Sequence, residues 1–478
     1  MQIMSKRKKG LMIAGGVVLM MMVAVMAAVL LFDINSYKLK IETAVSEATG
    51  LDVRIRGKMG LSFFSLGLSA KDILVANRGS EILSMKSLKL RADLIPLLQR
   101  QLKVTACELT SPVVTIVKDA DGKFNFENIE VQSPKGRPGQ AFGLNELKLS
   151  HGSLVYWDKK TGKKTELKGI DLAVRDVSVA DTSGGIIKNI SFTGSFACRE
   201  LIQRDLRIEN LKAPVKAVSG VFSFMPLTMD IFGGKGEGDL TADETARDPE
   251  YKINMKVSKL DFEKLQESFG IKKTISGKGD LAALLTIKEK NRNLMQNLDG
   301  TFSLRGDNLV THTVDLDKIL SSYEASQKFN LIDIGAFLIV GPLGNVALQG
   351  YRYGNFYYQS QTGRGAIVQF ISHWNIKNGE ADAVDCALAT RHHRIALKGK
   401  LNLVSEKYDK VTVSLLDGKG CALLTQTISG SFGHPQIGAV SAVESLAGPV
   451  LDLYRKAKRF VQAGNCTVFY DGSVRQPR

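Results

Sequence analysis

GKGDLAALLTIK, residues 277–288, is the stretch whose reading decides the fold. Its apolar residues Leu281, Ala283, Leu285 and Ile287 fall on every second position, a Gly-Asp turn stands ahead of them, and Lys288 closes the run. Successive side chains of an extended strand point to opposite faces, so a period of two gives the strand one apolar and one polar face. The same period appears just upstream in Ile253/Met255/Val257 and downstream in Ile395/Leu397, Leu401/Leu403 and Val411/Val413/Leu415. It is present from the start of the body, in Val53/Ile55, Leu66/Leu68, Leu88/Leu90, Leu147/Leu149 and Leu172/Val174, with Gly, Asn, Asp and Lys turns between. The expectation is a mainly β chain built of antiparallel strands.

The opening motif also has an echo. GEGDLTA at Gly236 to Ala242 matches GKGDLAA at Gly277 to Ala283, with a looser copy in DGTFSL from Asp299 to Leu304. Either the body repeats a unit or a long meander reuses Gly-Asp turn chemistry; the residues leave both open. Helical periodicity is confined to short segments. Ile34, Tyr37, Ile41, Val45 and Ala48 recur at three- and four-residue intervals and stop at Gly50, which predicts a helix with a glycine cap. Further short helices are expected around Leu94 to Leu102, Phe262 to Phe269 between Asp261 and Gly270, and Leu316 to Tyr323. Val440 to Val461 reads as an amphipathic helix bent near Pro449, with Val443, Leu446, Val450, Leu453 and Tyr454 on one side. It is expected to pack on the final sheet rather than on lipid, since interfacial helices carry more aromatic residues.

At the N-terminus, Leu11 to Phe32 is an uncharged run of 22 apolar or small residues. At about 1.5 Å per residue it covers roughly 33 Å, enough for a hydrocarbon core of about 30 Å. Cleaved signal peptides carry apolar regions of only about 7 to 15 residues, so an uncleaved transmembrane helix is expected. Lys6, Arg7, Lys8 and Lys9 precede the run and Asp33 follows it, which keeps residues 1–10 cytoplasmic and exports the body. SPKGRPGQ, Ser133 to Gln140, is the best linker candidate, and a change of texture near Val310 divides the body into 33–310 and 311–478. Past that point lie the apolar run Ile332 to Val340 and the aromatic cluster Tyr351, Tyr353, Phe356, Tyr357 and Tyr358.

Net charge is +16 and the tail supplies only a quarter of it, so the body is basic. Outside the cytoplasm nucleic acid is not an expected partner; the basic residues read as a solvated surface, with acidic lipid or polymer as the other reading. Of five cysteines, with no C-x-x-C, one bridge at most is expected, and the odd count by itself leaves at least one thiol free. The six histidines lack metal-ligand spacing, and His392 and His393, in RHHR, are expected to alternate on a solvated strand edge. No G-x-S-x-G elbow and no phosphate loop is present, and GPLG (Gly341 to Gly344) lacks the context of a dinucleotide site. No enzyme, metal or cofactor is expected.

TGLDVRIRGKMGLSFFSLGLSAKDILVAN, Thr49 to Asn77, resembles the opening of AsmA family envelope proteins. DLIPLLQ (Asp93 to Gln99) and DGKFNFEN (Asp121 to Asn128) are similar to later family motifs, although the family often has Trp where Phe126 stands. ADAVDCALATRHHRIALKGKLNL (Ala381 to Leu403), DGKGCALLTQTISGSFGHP (Asp417 to Pro435), GPVLDL (Gly448 to Leu453) and CTVFYDGSVRQP (Cys466 to Pro477) carry the C-terminal likeness, while Pro134 to Val310 matches mainly in texture. The resemblance implies an inner-membrane protein facing the periplasm, concerned with outer-membrane biogenesis and lipid balance. It also implies a Cys421–Cys466 disulfide and an elongated, curled, groove-like sheet. Groove-lining candidates are Val53, Ile55, Leu281, Leu285, Leu401 and Leu403. Alternation alone leaves open whether that face is an open groove or a closed core. At 18 to 20 residues per strand and turn, a little over 20 strands at about 4.8 Å each would run roughly 100 Å. Phospholipid or another envelope lipid, the inner membrane and other envelope proteins are the expected partners. The alternative is a scaffold for outer-membrane protein or lipopolysaccharide assembly, with Tyr351 to Tyr358 as its contact surface.

Overall fold

A computed structural model describes residues 33–62, 67–93, 104–126, 142–180, 185–270, 273–290, 294–312, 315–318, 338–339, 363–441, 466 and 468–477. The expected anchor at 11–32 and the aromatic cluster at 351–358 lie outside them, as do the expected helix at 94–102 and most of those at 316–323 and 440–461. Among the described residues no helix is long and apolar enough to cross a membrane. The chain is mainly β and divides into two compact units, residues 1–201 and 202–478. The boundary expected near 310 falls inside the second unit.

In the first unit a single 3-10 turn, Ile34–Tyr37, leads into α1 (Lys38–Thr49), which ends on Gly50 at φ 68°. Only a residue without a side chain adopts that left-handed conformation at no steric cost, which is why the glycine stops the helix. The strands are β1 (Asp52–Ile55), β2 (Met59–Ser62), β3 (Gly67–Asn77), β4 (Ser80–Ala92), β5 (Val104–Thr110), β6 (Val113–Lys118), β7 (Phe142–Asp158) and β8 (Lys163–Val179). A short helix α2 (Ile186–Asn189) precedes β9 (Ile190–Gln203), which spans the division between the units. β1 and β2 both pair antiparallel with β3, and β3 with β4. The sheet is mainly antiparallel, as expected, with one local departure: β5 and β6, antiparallel to β4, both run parallel to β7. A parallel pair needs a crossover of a dozen or more residues. The Pro/Gly-rich stretch at 133–140 therefore belongs to the connection between two paired strands, β6 and β7, although it is itself outside the described residues.

α1 lies along the margin of this sheet. The Glu42 carboxylate accepts from the Ile55 N–H at 2.5 Å and the Ser46 hydroxyl from the Val53 N–H at 3.0 Å. Asn35 accepts from the Met59 N–H at 2.8 Å. Ile55, Met59, Ala70, Ile73 and Met85 form the core beneath, with Ile34 and Ile41 packed against it.

The second unit holds β10 (Leu206–Val218), β11 (Val221–Ile231), β12 (Gly234–Asp243), β13 (Glu250–Asp261), β14 (Ile275–Ser276), β15 (Lys278–Lys288) and β16 (Leu298–Thr311). After them come β17 (Gly365–Lys377), β18 (Glu380–Ala389), β19 (Arg394–Asn402), β20 (Lys407–Leu416), β21 (Ala422–Ser431) and β22 (Pro435–Ile437). Each pairs antiparallel with the next, except that β14 pairs with β16 and β15 follows β13 directly in the ladder. α3 (Phe262–Ser268) forms where expected: the Asp261 carboxylate accepts from the Glu263 N–H at its start. The two copies of the glycine motif flank β13 as β12 and β15. Their glycines do more than turn the chain. A Cβ on Gly279 of the second copy would sit 2.6 Å from the ring of Phe262, and one on Gly306, outside the motif on β16, 2.9 Å from it, so both are small to admit α3. At the end of the ladder, Val440 and Ser441 do not begin a helix; Ser441 is extended and bridges Thr425.

Candidate functional site

Directly opposed residues on antiparallel strands share a face. The observed registers therefore join the alternating residues into rows. One row runs Leu240, Ile253, Leu285, Gly300, Ile376, Ala381, Leu401, Tyr408. A neighbouring row runs Val257, Leu281, Leu304, Ser372, Cys386, Leu397, Val413. Leu281, Leu285 and Leu401 thus lie on one apolar face of the second unit, and Leu403 joins the same cluster of side chains. Val53 and Ile55 belong instead to the core face of the first unit, opposite Val75 and Ile73.

The apolar face is covered unequally. Leu240, Ile253, Met255, Leu281, Ala283, Leu285 and Ile287 are half-buried. Trp374, Ala381 and Leu401 are 0 % exposed. The closed part is sealed by Leu316, Leu338 and Ile339, which come from the segment between β16 and β17. Trp374 Nε1 donates to the Ser372 hydroxyl at 2.7 Å, and that hydroxyl donates to the Leu338 carbonyl at 2.6 Å, which seats the covering residues on the sheet. Dryness shows in Tyr408, whose hydroxyl burial pushes up to about 12.

The reverse face of β17 to β20 is also covered, by the C-terminal tail. Tyr470 and Val474 pack on Ile371, Ala387, Ala389, Ala396 and Leu416. A disulfide joins Cys421 to Cys466 with Cα atoms 6.0 Å apart. The Tyr470 hydroxyl donates to Asp385 and accepts from the Val474 N–H, while the Arg394 guanidinium lies 5.6 Å over the Tyr470 ring and donates to the Val474 carbonyl. Burial raises the thiols of the free cysteines Cys107, Cys198 and Cys386 above their ordinary range.

One polar cluster escaped the sequence reading. His392 and His393 lie in the β18–β19 turn, not on a strand edge, and His393 Nδ1 is 2.8 Å from Asp317. The Thr390 hydroxyl and the Arg391 and His392 N–H groups donate to the same carboxylate. Burial acts to raise the Asp317 pKa, but the hydrogen bonds from Thr390 and His393, the His393 charge and the Arg391 N–H outweigh it and hold the group below the usual carboxylate range. Three of these donors meet Asp317 Oδ1 and one meets Oδ2, so the carboxylate ties residues 315–318 to the β18–β19 turn. Nothing in the spacing of residues 317 and 393 could reveal the pair. Among the described residues no set of three or more His, Cys, Asp or Glu side chains could hold a metal ion.

A sequence model of the AsmA family matches residues 4–189 and 194–386. The chain belongs to the AsmA family. Neither among curated proteins nor among solved structures was a match found. Membership in the AsmA family suggests a function in envelope and outer-membrane biogenesis. The half-buried apolar residues of β12, β13 and β15 lie within the second matched segment.

Proposed function

We propose that this AsmA family protein is a non-enzymatic handler of envelope lipid, anchored in the inner membrane by residues 11–32 with its body in the periplasm. Acyl chains lie along the half-buried side chains of β12, β13 and β15, and headgroups remain in water beyond the margin of that face. The observation that carries this reading is the continuous apolar face of the second unit, on which Leu240, Ile253, Met255, Leu281, Ala283, Leu285 and Ile287 are only half-buried while Val257, Leu304, Trp374 and Leu401 are sealed. Each methylene moved from water onto such a face contributes about 0.8 kcal/mol, so a modest length of acyl chain suffices for retention.

The test is to purify the full chain in mild detergent and identify bound lipid by native mass spectrometry. Phospholipid is expected on the parent and lost from Leu285→Asp, with far-ultraviolet circular dichroism unchanged because Leu285 is only half-buried. A parent free of lipid, or a variant that keeps it, sinks the proposal. Lipopolysaccharide in place of phospholipid would keep the groove and change its cargo.

A further inference from the structure

One end of the first unit carries aromatic side chains where a soluble surface has no use for them. The β7–β8 turn, residues 158–163, begins just after Trp157, which is 43 % exposed. Beside it, β6 ends at Lys118 and the chain folds back so that Phe124 bridges Lys118 and Phe126 stacks on Phe124 with centroids 5.0 Å apart. Val117 pairs with Trp157, and the Lys159 N–H donates to the Lys118 carbonyl, so the two turns form a single tip. Phe126 is 39 % exposed.

Cations accompany these rings. Lys159 Nζ lies 5.3 Å over the Trp157 ring and Lys118 Nζ 5.8 Å over Phe124. Across residues 118–126 and 157–163 stand five lysines and three aspartates. Two of the aspartates are engaged by backbone: Asp158 accepts from the Lys160 and Thr161 N–H groups at 2.9 and 3.0 Å, and Asp119 from Lys123 N–H at 2.9 Å. Lys123, Lys159, Lys160 and Lys163 are exposed at the tip.

Tryptophan and phenylalanine at a turn, ringed by lysines, match the chemistry of a bilayer interface, where the ring sits at headgroup depth and each cation meets an anionic headgroup. We infer that this tip docks on the surface of a bilayer containing anionic phospholipid. The inference stands on the first unit alone and is independent of lipid carriage by the second.

The chain contains two tryptophans, and Trp374 is 0 % exposed, so Trp157 reports on the tip while Trp374 serves as an internal folding reference. The full chain is held in nanodiscs and its emission read with brominated phosphatidylglycerol placed either in the disc or in separate added vesicles. Quenching and a blue shift of Trp157 in one arm are expected, absent from Trp157→Phe. With the vesicles, a Lys159→Gln/Lys160→Gln/Lys163→Gln variant is expected to lower partitioning on the order of a hundredfold, and raised salt to mimic it. Silence in both arms overturns the inference. Equal quenching by brominated phosphatidylcholine, or by the triple variant, overturns the anionic preference. A Trp157 response to soluble dextran sulfate but not to vesicles assigns the tip to an acidic polymer and overturns the bilayer.

Discussion

On β15 the apolar residues Leu281 and Leu285 are half-buried, whereas on β19 Leu397 and Leu401, in the same two cross-strand rows, are sealed. The two strands have the same periodicity, chemistry and pairing. They differ in what lies on top: Leu316, Leu338 and Ile339 cover one face of the later strands, and the tail around Tyr470 covers the other. Alternation therefore reports that a face exists, and only partners distant in sequence decide whether it becomes core or surface.

The largest effect should come from uncovering the sealed region's reverse face. The disulfide spans 45 residues, and loop-closure entropy assigns such a bridge about 4 kcal/mol. Cys421→Ser/Cys466→Ser is expected to lose most of that in denaturant titration, with little change in lipid content. Next, Leu401→Ala should cost about 3 kcal/mol, because a fully buried leucine leaves a cavity. Leu285→Ala should cost about 1 kcal/mol, since part of its surface already meets water; equal losses at the two sites would erase the distinction between the regions.

Asp317→Asn should fall between those two leucine variants, at about 2 kcal/mol, the scale of hydrogen bonds to a charged group. Its pH dependence has a definite sign. A carboxylate with a depressed folded pKa contributes stability that is present above the unfolded value near 4 and is lost as pH falls through the folded value. Acid titration of the parent should show that loss, and the asparagine variant should lack it. The smallest effect belongs to Leu284→Ser on β15, within about 0.5 kcal/mol, because Leu284 points away from the rows and is 56 % exposed.

Much of the architecture was legible. The period of two located strands from Val53 to Leu415, Gly50 and Asp261 marked helix ends, and the family motifs matched the family found. What escaped depends on contacts made across the chain. The parallel joins of β5 and β6 to β7 hinge on a crossover that composition describes only as a linker. His393 meets Asp317 across 76 residues, and Ser441 bridges Thr425 instead of continuing a helical pattern. For the candidate site, the residues Leu281, Leu285, Leu401 and Leu403 could be proposed from alternation with the family likeness, but their unequal cover could not, because periodicity carries no record of the segment that lies above it.

The contact of α1 with β1 bears on association between copies. A bare strand margin invites another chain to add its own strand, the first step of many aggregates. Here Glu42 and Ser46 occupy the Ile55 and Val53 donors that such an intruder would use. The helix that opens the folded body thus acts as a chain terminator in the polymer chemist's sense, stopping β-ladder growth at that margin before a second molecule can extend it.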